Sequence, residues 1–374
     1  MLLPILRPQS WLPLCILCLL LTGCDLNGGI VGGGGNGPTP IPGTPTPNPA
    51  LVATGTATVT LGKTQEYSLG SFSATAVAAT ATGLVVAGTP NSADNTALAY
   101  VPFAGGKVTS LVKATPAPDG TVRGIIGFVA AGDWAVYEQA TAIGSDWELS
   151  AVQLSTANAT LIDNATKESG SALSTTAFAT DGTAIIWAVP VAGQAATQLL
   201  AYDLTKGVAH TLLTTPANIS DVLLANQLLY YRTATFTNGQ NASTSWLWWL
   251  NQPNPQQLDA QVAGNIALNS RYLVWDDANT VTLTLYDLIT GKATTQWMKN
   301  CTIPLIAWDR PYVVCNDDNA DVYRVVRTPA GTSVAFGSQA RGGLGNIANG
   351  RVYWIPEPNV SANTVVDAFD LPTS

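Results

Sequence analysis

The chain has 374 residues, of which 47% are hydrophobic and 11% charged, with 24 acidic against 16 basic residues and a net charge of −8. A disordered protein needs the opposite balance, and an acidic surface repels phosphate backbones, which excludes nucleic acid as the expected partner. A single histidine, His210, leaves little material for histidine-based metal or catalytic sites.

Residues 1–7 are short and weakly basic, and 11–21 form an apolar core of secretory-signal length. That run is well short of the roughly 20 residues needed to span a bilayer. Leu21-Thr22-Gly23-Cys24 resembles the lipobox of bacterial lipoproteins. The resemblance implies a signal peptide over 1–23, cleavage before Cys24, and acylation of its thiol and amine with palmitate-type chains. Three acyl chains exceed the two signals that stable anchoring requires. The expected partner of Cys24 is therefore the lipid bilayer, and the expected address is the bacterial cell envelope, periplasmic or surface-exposed. An ordinary cleaved signal with an incidental cysteine is the alternative. Asp25 resembles the inner-membrane retention residue of enterobacterial lipoproteins, which other lineages do not all read, so the choice of membrane stays open.

The segment 24–50 joins the lipidated cysteine to Gly28-Gly29, a run of four glycines at 32–35, and then Pro38, Pro40, Pro42, Pro45 and Pro47. Glycine makes one half floppy; alternating proline stiffens the other into polyproline II. A dozen such residues at ~3.1 Å each reach about 35 Å. This is a tether, and the body it carries is 51–374.

In that body, short apolar runs recur. Their centres are Ala87, Tyr137, Trp187, Tyr231, Trp275, Cys315 and Trp354, with spacing that falls from 50 residues to 39. Tyr202-Asp203-Leu204, Tyr286-Asp287-Leu288 and Phe369-Asp370-Leu371 mark double steps of 84 and 83 residues. A unit of about 42 residues is the length of one four-stranded propeller blade. Blade three is expected to run 175–180, 184–189, 198–204 and 209–214, with Asp181-Gly182 in its first turn. Strict alternation is imperfect because sheets packed face to face bury both surfaces. The fold class is all-β: one β-propeller of seven four-stranded blades. The seventh runs out after its third strand, and the N-terminal segment 64–69 is the natural fourth, covering an otherwise open edge.

Phe178-Ala179-Thr180-Asp181-Gly182-Thr183, Ile186-Trp187, and Tyr202-Asp203-Leu204-Thr205-Lys206-Gly207 resemble the WD40-like repeat of TolB- and YncE-type bacterial propellers, as do residues 286–292. The resemblance spans about 75–374 and is specific in blades three, five and seven. It implies a fold rather than an activity.

No constellation for catalysis stands out. His210 falls in an outer strand with no acidic motif beside it, and there is no Gly-x-Ser-x-Gly elbow or phosphate loop. Asp317-x-Asn319-x-Asp321 resembles the start of a calcium loop but lacks its glycine and distal glutamate, and Asp276-Asp277 occupies the equivalent turn one blade earlier. Turn formation accounts for both, and neither a metal nor another cofactor is expected. Glu138, Asp146 and Glu148 surround one hairpin, and Glu357 sits in another. Trp246, Trp248 and Trp249 follow a long polar loop; exposed, they would stack on sugars or anchor a protein, and buried, they would fill blade interfaces. Burial is favoured, since other blades carry aromatics in the same strands. With Cys15 and Cys18 in the signal and Cys24 acylated, Cys301 and Cys315 remain, either as a disulfide or as two buried thiols.

The function expected is that of a non-catalytic, tethered module binding an envelope protein or glycan. The contact face would carry the loops after the second strands, with Trp246, Trp248, Trp249, Asp276, Asp277, Asp317 and Asp321 as candidate binding residues. The alternative is an envelope enzyme, lactonase, lyase or glycosidase, with its site at the central channel.

Overall fold

A computed structural model describes residues 59–62, 64–90, 92–141, 146–165, 177–191, 193–237, 240–277, 279–317, 319–320, 322–336, 343–355 and 364–372. Residues 1–23, where a signal peptide is expected, Cys24, the 24–50 segment, Asp321 and Glu357 lie outside them. Among the described residues every regular element is a strand, and the strands form seven four-stranded antiparallel sheets.

The first strand, β1 (Gln65–Ser68), belongs to the last blade. Blade 1 is β2 (Phe72–Ala79), β3 (Gly83–Pro90), β4 (Ser92–Pro102) and β5 (Thr109–Lys113). Blade 2 is β6 (Gly124–Ala131), β7 (Trp134–Ala140), β8 (Glu148–Gln153) and β9 (Ala159–Asn164). Blade 3 is β10 (Phe178–Thr180), β11 (Ala184–Pro190), β12 (Thr197–Asp203) and β13 (Val208–Thr215). Blade 4 is β14 (Asn218–Ala225), β15 (Leu228–Thr237), β16 (Gln240–Trp249) and β17 (Gln256–Gln257). Blade 5 is β18 (Ile266–Leu268), β19 (Tyr272–Asp277), β20 (Thr282–Asp287) and β21 (Lys292–Lys299). Blade 6 is β22 (Cys301–Ile306), β23 (Tyr312–Asp317), β24 (Val322–Arg327) and β25 (Ser333–Phe336). Blade 7 is β26 (Gly343–Ala348), β27 (Arg351–Ile355) and β28 (Val365–Asp370), completed by β1.

All seven apolar centres fall in second strands. The reason these strands read as unbroken apolar runs is visible in blade 1. Leu84 and Val86 pack toward Tyr353 and Ile355 of blade 7, while Val85 and Ala87 pack toward Ala135 and Tyr137 of blade 2. Neither face of the sheet meets water, so alternation carries no advantage. Burying each such side chain contributes roughly 1.5–3 kcal/mol.

The ring closes as the sequence implies. β1 pairs antiparallel with β28 through Gln65↔Ala368, Glu66↔Asp367, Tyr67↔Val366 and Ser68↔Val365. Two backbone bonds extend the seam, Leu69 N to Thr364 O at 2.7 Å and Gly62 N to Asp370 O at 3.2 Å. The Arg351 guanidinium reaches across it, Nη1 donating to Gln65 Oε1 at 2.9 Å and Nε to Asp370 Oδ1 at 2.7 Å.

Blade 6 holds a disulfide between Cys301 and Cys315, whose Cα atoms are 5.5 Å apart. A regular hairpin would bring Cys315 opposite Pro304. The register instead shifts between Thr302 and Leu305, and Cys301 stands opposite Asp317. The bridge is therefore diagonal, joining residues on one face of neighbouring strands. Similar irregularities interrupt the inner strands of blades 1, 2, 4 and 7. Such bulges bend a strand and re-aim its side chains, and here they set what lines the axis.

Candidate functional site

The inner strands all run the same way along the axis. The loops after the second strands therefore sit where inner strands begin, the leading end, and the first hairpin turns sit at the trailing end.

At the leading end the candidate carboxylates are engaged within the protein. Asp276 is 1% exposed. It accepts from Asn265 N at 2.7 Å, Asn265 Nδ2 at 2.8 Å and Ile303 N at 2.8 Å, tying blade 5 to the bulge of blade 6. Gly264 makes room for it; a Cβ there would collide with Asp276 Oδ1. Asp277 holds its own turn, accepting from Asn279 N and Thr280 Oγ1, each at 2.9 Å. Asp317 is fully buried and paired with Arg324. Its other oxygen accepts from Asn319 N at 3.1 Å and Ala320 N at 3.2 Å. Among the described residues no group of three or more His, Cys, Asp or Glu side chains is placed to hold a metal ion.

The carboxylates of the blade 2 hairpin do come together, around a cation. Arg123 Nε lies 2.7 Å from Asp146 Oδ2, and Nη1 lies 2.8 Å from Glu148 Oε1. Gln139 Nε2 donates to Glu148 Oε2 at 2.7 Å and to Thr115 Oγ1 at 2.9 Å. Burial works to raise the Asp146 carboxyl, but hydrogen bonds from Thr141 and Arg123 hold it below the ordinary range. Glu138, from the same hairpin, is also buried.

The three tryptophans pack between blades. Trp246 stacks on Tyr231 at 6.1 Å, with Nε1 donating to Thr233 Oγ1 at 3.0 Å. Trp248 faces blade 3 among Leu199 and Leu229, and Trp249 faces blade 5 beside Leu273 and Tyr286. Of the two readings left open, this is the packing one. Among the described residues of this hairpin no aromatic ladder stands open to solvent.

Two cavities lie along the axis. One, of about 490 Å³, is walled by Phe128, Phe178 and Val222 together with the bulge residues Ser220, Ile303 and Pro304. The other, of about 650 Å³, lies at the trailing end, and every blade contributes to its wall. Its rim is built by tight first hairpins. Asn226 and Gln227 both adopt positive φ, as do Asn349 and Gly350, the backbone of a two-residue turn matched to strand twist. Gly182 lets the blade 3 turn close on that of blade 2; a Cβ there would meet the Ala131 backbone at 2.9 Å.

What this chamber presents is chemically distinctive. Trp308 stands at its rim 37% exposed. The amides of Asn226 and Asn346 line it without a hydrogen-bond partner among the described residues, and the carboxylates of Asp181 and Asp309 join them. Among the described residues no Lys or Arg lines the wall, though Arg310 Nε lies 3.9 Å from Asp309 Oδ2. Asn349 Nδ2 donates to Thr80 O at 2.6 Å and braces the turn of blade 7 against blade 1. The arrangement offers an aromatic face, amide donors and acceptors, and negative charge.

Comparison with solved structures returns 489 matching chains. One of two prolyl endopeptidases matches at TM-score 0.56 and 10% identity, over 78% of this chain and 45% of that one. The propeller domain of the trilobed protease from Pyrococcus furiosus matches at 0.51 and 10% identity, over 76% of this chain and 92% of that domain. The fold is what they share. The archaeal domain is described as having an open velcro topology, whereas here β1 closes the ring. TolB from Acinetobacter baumannii also matches, at TM-score 0.44 and 10% identity over 66% of this chain and 61% of that one, and carries no argument at that level. This chain spans less than half the length of the endopeptidase. No protein-family profile matches the sequence, and no curated protein does.

Trp308, Asn226 and Asn346 lie at the opposite end of the ring from the residues that the sequence points to. A tryptophan beside Asp309-Arg310-Pro311, inside a turn rather than a strand, was the available signal. Asn226 and Asn346 carry none, because only the closure of the ring brings them together.

Proposed function

We propose that this chain is a membrane-tethered extracytoplasmic binding module, held to the bilayer through acylated Cys24 and the 24–50 spacer, whose propeller takes a neutral glycan at the trailing axial chamber. The observation that carries this reading is Trp308, 37% exposed, lining one cavity with Asn226 and Asn346, whose side-chain amides have no partner among the described residues. Sugars present C–H faces that pack on indole rings and hydroxyls that both donate to and accept from amides. A few placed polar groups in a concave site of this volume are the usual makings of a ligand pocket. Asp181 disfavours an acidic glycan, while Asp309 is offset by its ion pair with Arg310.

The test is a glycan array followed by calorimetry on the propeller. Wild type is expected to bind a neutral oligosaccharide saturably, and Trp308→Ala to weaken that binding about tenfold or more at unchanged circular dichroism. Equal binding by Trp308→Ala, or no neutral glycan bound by the wild type, would sink the proposal. Tethering is tested separately: Cys24→Ser should abolish palmitate labelling and release the protein from membranes.

The rival reading, an envelope lactonase, lyase or glycosidase, has one foothold. Ser220 Oγ donates to Asp221 Oδ2 at 2.7 Å beside the other axial cavity. The same oxygen takes Arg232 Nε at 2.6 Å, so it is already engaged by a cation. Turnover of a chromogenic ester or glycoside that disappears in Ser220→Ala would promote this reading.

A further inference from the structure

One position on the blade ladder differs in blade 3. In every blade, the backbone N–H just after the third strand donates to the carbonyl just before the second: Phe103 to Thr82, Leu154 to Asp133, Leu204 to Thr183, Leu250 to Gln227, Leu288 to Arg271, Thr328 to Pro311 and Leu371 to Gly350. This bond fixes the first residue of each second strand as an equivalent position, where the wedge between blades opens toward the trailing end. Blades 2, 4, 5 and 6 place Trp134, Leu228, Tyr272 and Tyr312 there, packed toward the following blade. Blade 7 uses Arg351, and in blade 1 the Tyr100 ring occupies the space beside Gly83. Blade 3 has Ala184. Among the described residues nothing refills the volume, and a cleft of about 380 Å³ remains between blades 3 and 4.

The cleft has a definite chemistry. Ile186, Leu212 and Leu250 supply its apolar surface, His210 stands at its outer wall, and Asp181 and Asp203 stand at its rim. Each aspartate has one oxygen fully engaged by its own turn. Asp181 Oδ1 accepts from Thr183 N, Thr183 Oγ1 and Ala184 N; Asp203 Oδ1 accepts from Thr205 N, Thr205 Oγ1 and Lys206 N. The second oxygens are less committed. Asp181 Oδ2 takes only Gln227 N at 3.2 Å, and Asp203 Oδ2 takes Lys206 Nζ, on a side chain 75% exposed. A carboxylate oxygen has capacity for a further donor, and an exposed lysine partner is readily exchanged. Hydrogen bonds from Lys206 and then Thr205 hold the Asp203 carboxyl far below its ordinary range, so it is charged at any working pH.

We propose that this cleft binds a small organic cation, an amine or amidinium on an apolar body, with its charge at Asp181 and Asp203 and its body against Ile186, Leu212 and Leu250. The site is separate from the glycan chamber except for Asp181, which borders both, so Asp181 is left unaltered in the test.

The test is calorimetry and saturation-transfer NMR on the full chain, with phenethylamine as probe and phenethyl alcohol and phenylacetate as its neutral and anionic counterparts. Wild type and Trp308→Ala are expected to bind the amine saturably and alike. Ala184→Leu, which installs the side chain of blade 4, should weaken binding about tenfold or more. Ala201→Leu, which installs what blade 5 carries as Leu285, fills the same cleft from the third strand and should do likewise, so that one misfolded variant does not decide the outcome. Asp203→Asn should lose the preference for amine over alcohol. The proposal is overturned if the amine does not bind, if both filled variants bind it as wild type does, or if alcohol and acid bind equally well. Tighter binding of an acetylated Gly-Lys-Gly amide than of phenethylamine would overturn the small-molecule assignment in favour of a protein side chain.

Discussion

Glu66 of β1 stands directly opposite Asp367 of β28, two carboxylates facing each other in the seam that closes the ring. Burial first, and then Glu66, raise the Asp367 carboxyl above its ordinary range. The folded state therefore favours the protonated form. Stability is gained as pH falls through that raised value, and the ionised pair costs stability above it. Like charges directly opposite in a sheet cost about 0.5 kcal/mol. Asp367→Asn is expected to raise the thermal midpoint by roughly 1–2 °C at pH 7 and by less at pH 4, with a smaller gain in high salt. Scanning calorimetry at the two pH values checks it; a lower midpoint at pH 7 would show that the pair does not repel.

Arg123 has the opposite pH signature. Its guanidinium is nearly buried between Asp146 and Glu148. Asp146 is held below its ordinary range, so its contribution is complete above the unfolded value near pH 4 and fades as pH drops below it. Arg123→Gln leaves two carboxylates without their cation, at a cost of about 3 kcal/mol at pH 7. Urea unfolding at pH 7 and at pH 3 should show this gap narrowing with acid. A gap that stays constant would assign the cost to packing alone.

Trp187 and Asp163 join blades 3 and 2 through a buried hydrogen bond, Nε1 to Oδ2 at 2.7 Å. Trp187→Phe removes this charge-assisted donor from a buried carboxylate, which costs about 2 kcal/mol before any loss of packing. In a double-mutant cycle with Asp163→Asn, the two changes should be non-additive by 1 kcal/mol or so. Strict additivity would mean that the bond contributes nothing.

The Cys301–Cys315 bridge spans 14 residues within one blade. Constraint of the unfolded chain by a loop of that length is worth about 3 kcal/mol. Both cysteines are fully buried, so a reductant should leave the native protein untouched and lower the midpoint only once unfolding exposes the sulfurs. Equal midpoints for wild type and Cys301→Ala/Cys315→Ala would show that the bridge does not stabilise the fold.

Much of the ring was legible because its repeat is written in strand-forming residues. The centres Ala87 to Trp354 all landed in second strands, and the blade 3 strands expected at 184–189 and 198–204 appear as Ala184–Pro190 and Thr197–Asp203. The closing strand was legible for a similar reason: a last blade one strand short demands a partner. Register inside blades was not. The shift between Thr302 and Leu305 that sets Cys301 diagonal to Cys315 depends on how neighbouring sheets crowd the axis, which no local pattern encodes. The candidate chamber was hidden for the same reason. Trp308, Asn226 and Asn346 sit in three different blades and become neighbours only through the circle. Turn-forming and ligand-holding aspartates look alike in one dimension, and only the fold shows Asp276 and Asp317 engaged by neighbouring backbone N–H groups.

The clasp from Arg351 to Gln65 joins positions 286 residues apart, and this separation imposes an order of assembly. Six sheets draw all their strands from contiguous sequence and can condense while later residues are still being synthesised. The seventh cannot, because β1 emerges first and meets β28 last. A nascent chain halted before Val365 would hold complete sheets and an open arc, its first and final edges unpaired. Contacts of such long range are the slow ones to form, so whatever receives this protein before release must handle it as an unsealed arc, with bare strand edges shielded until the C-terminal hairpin arrives.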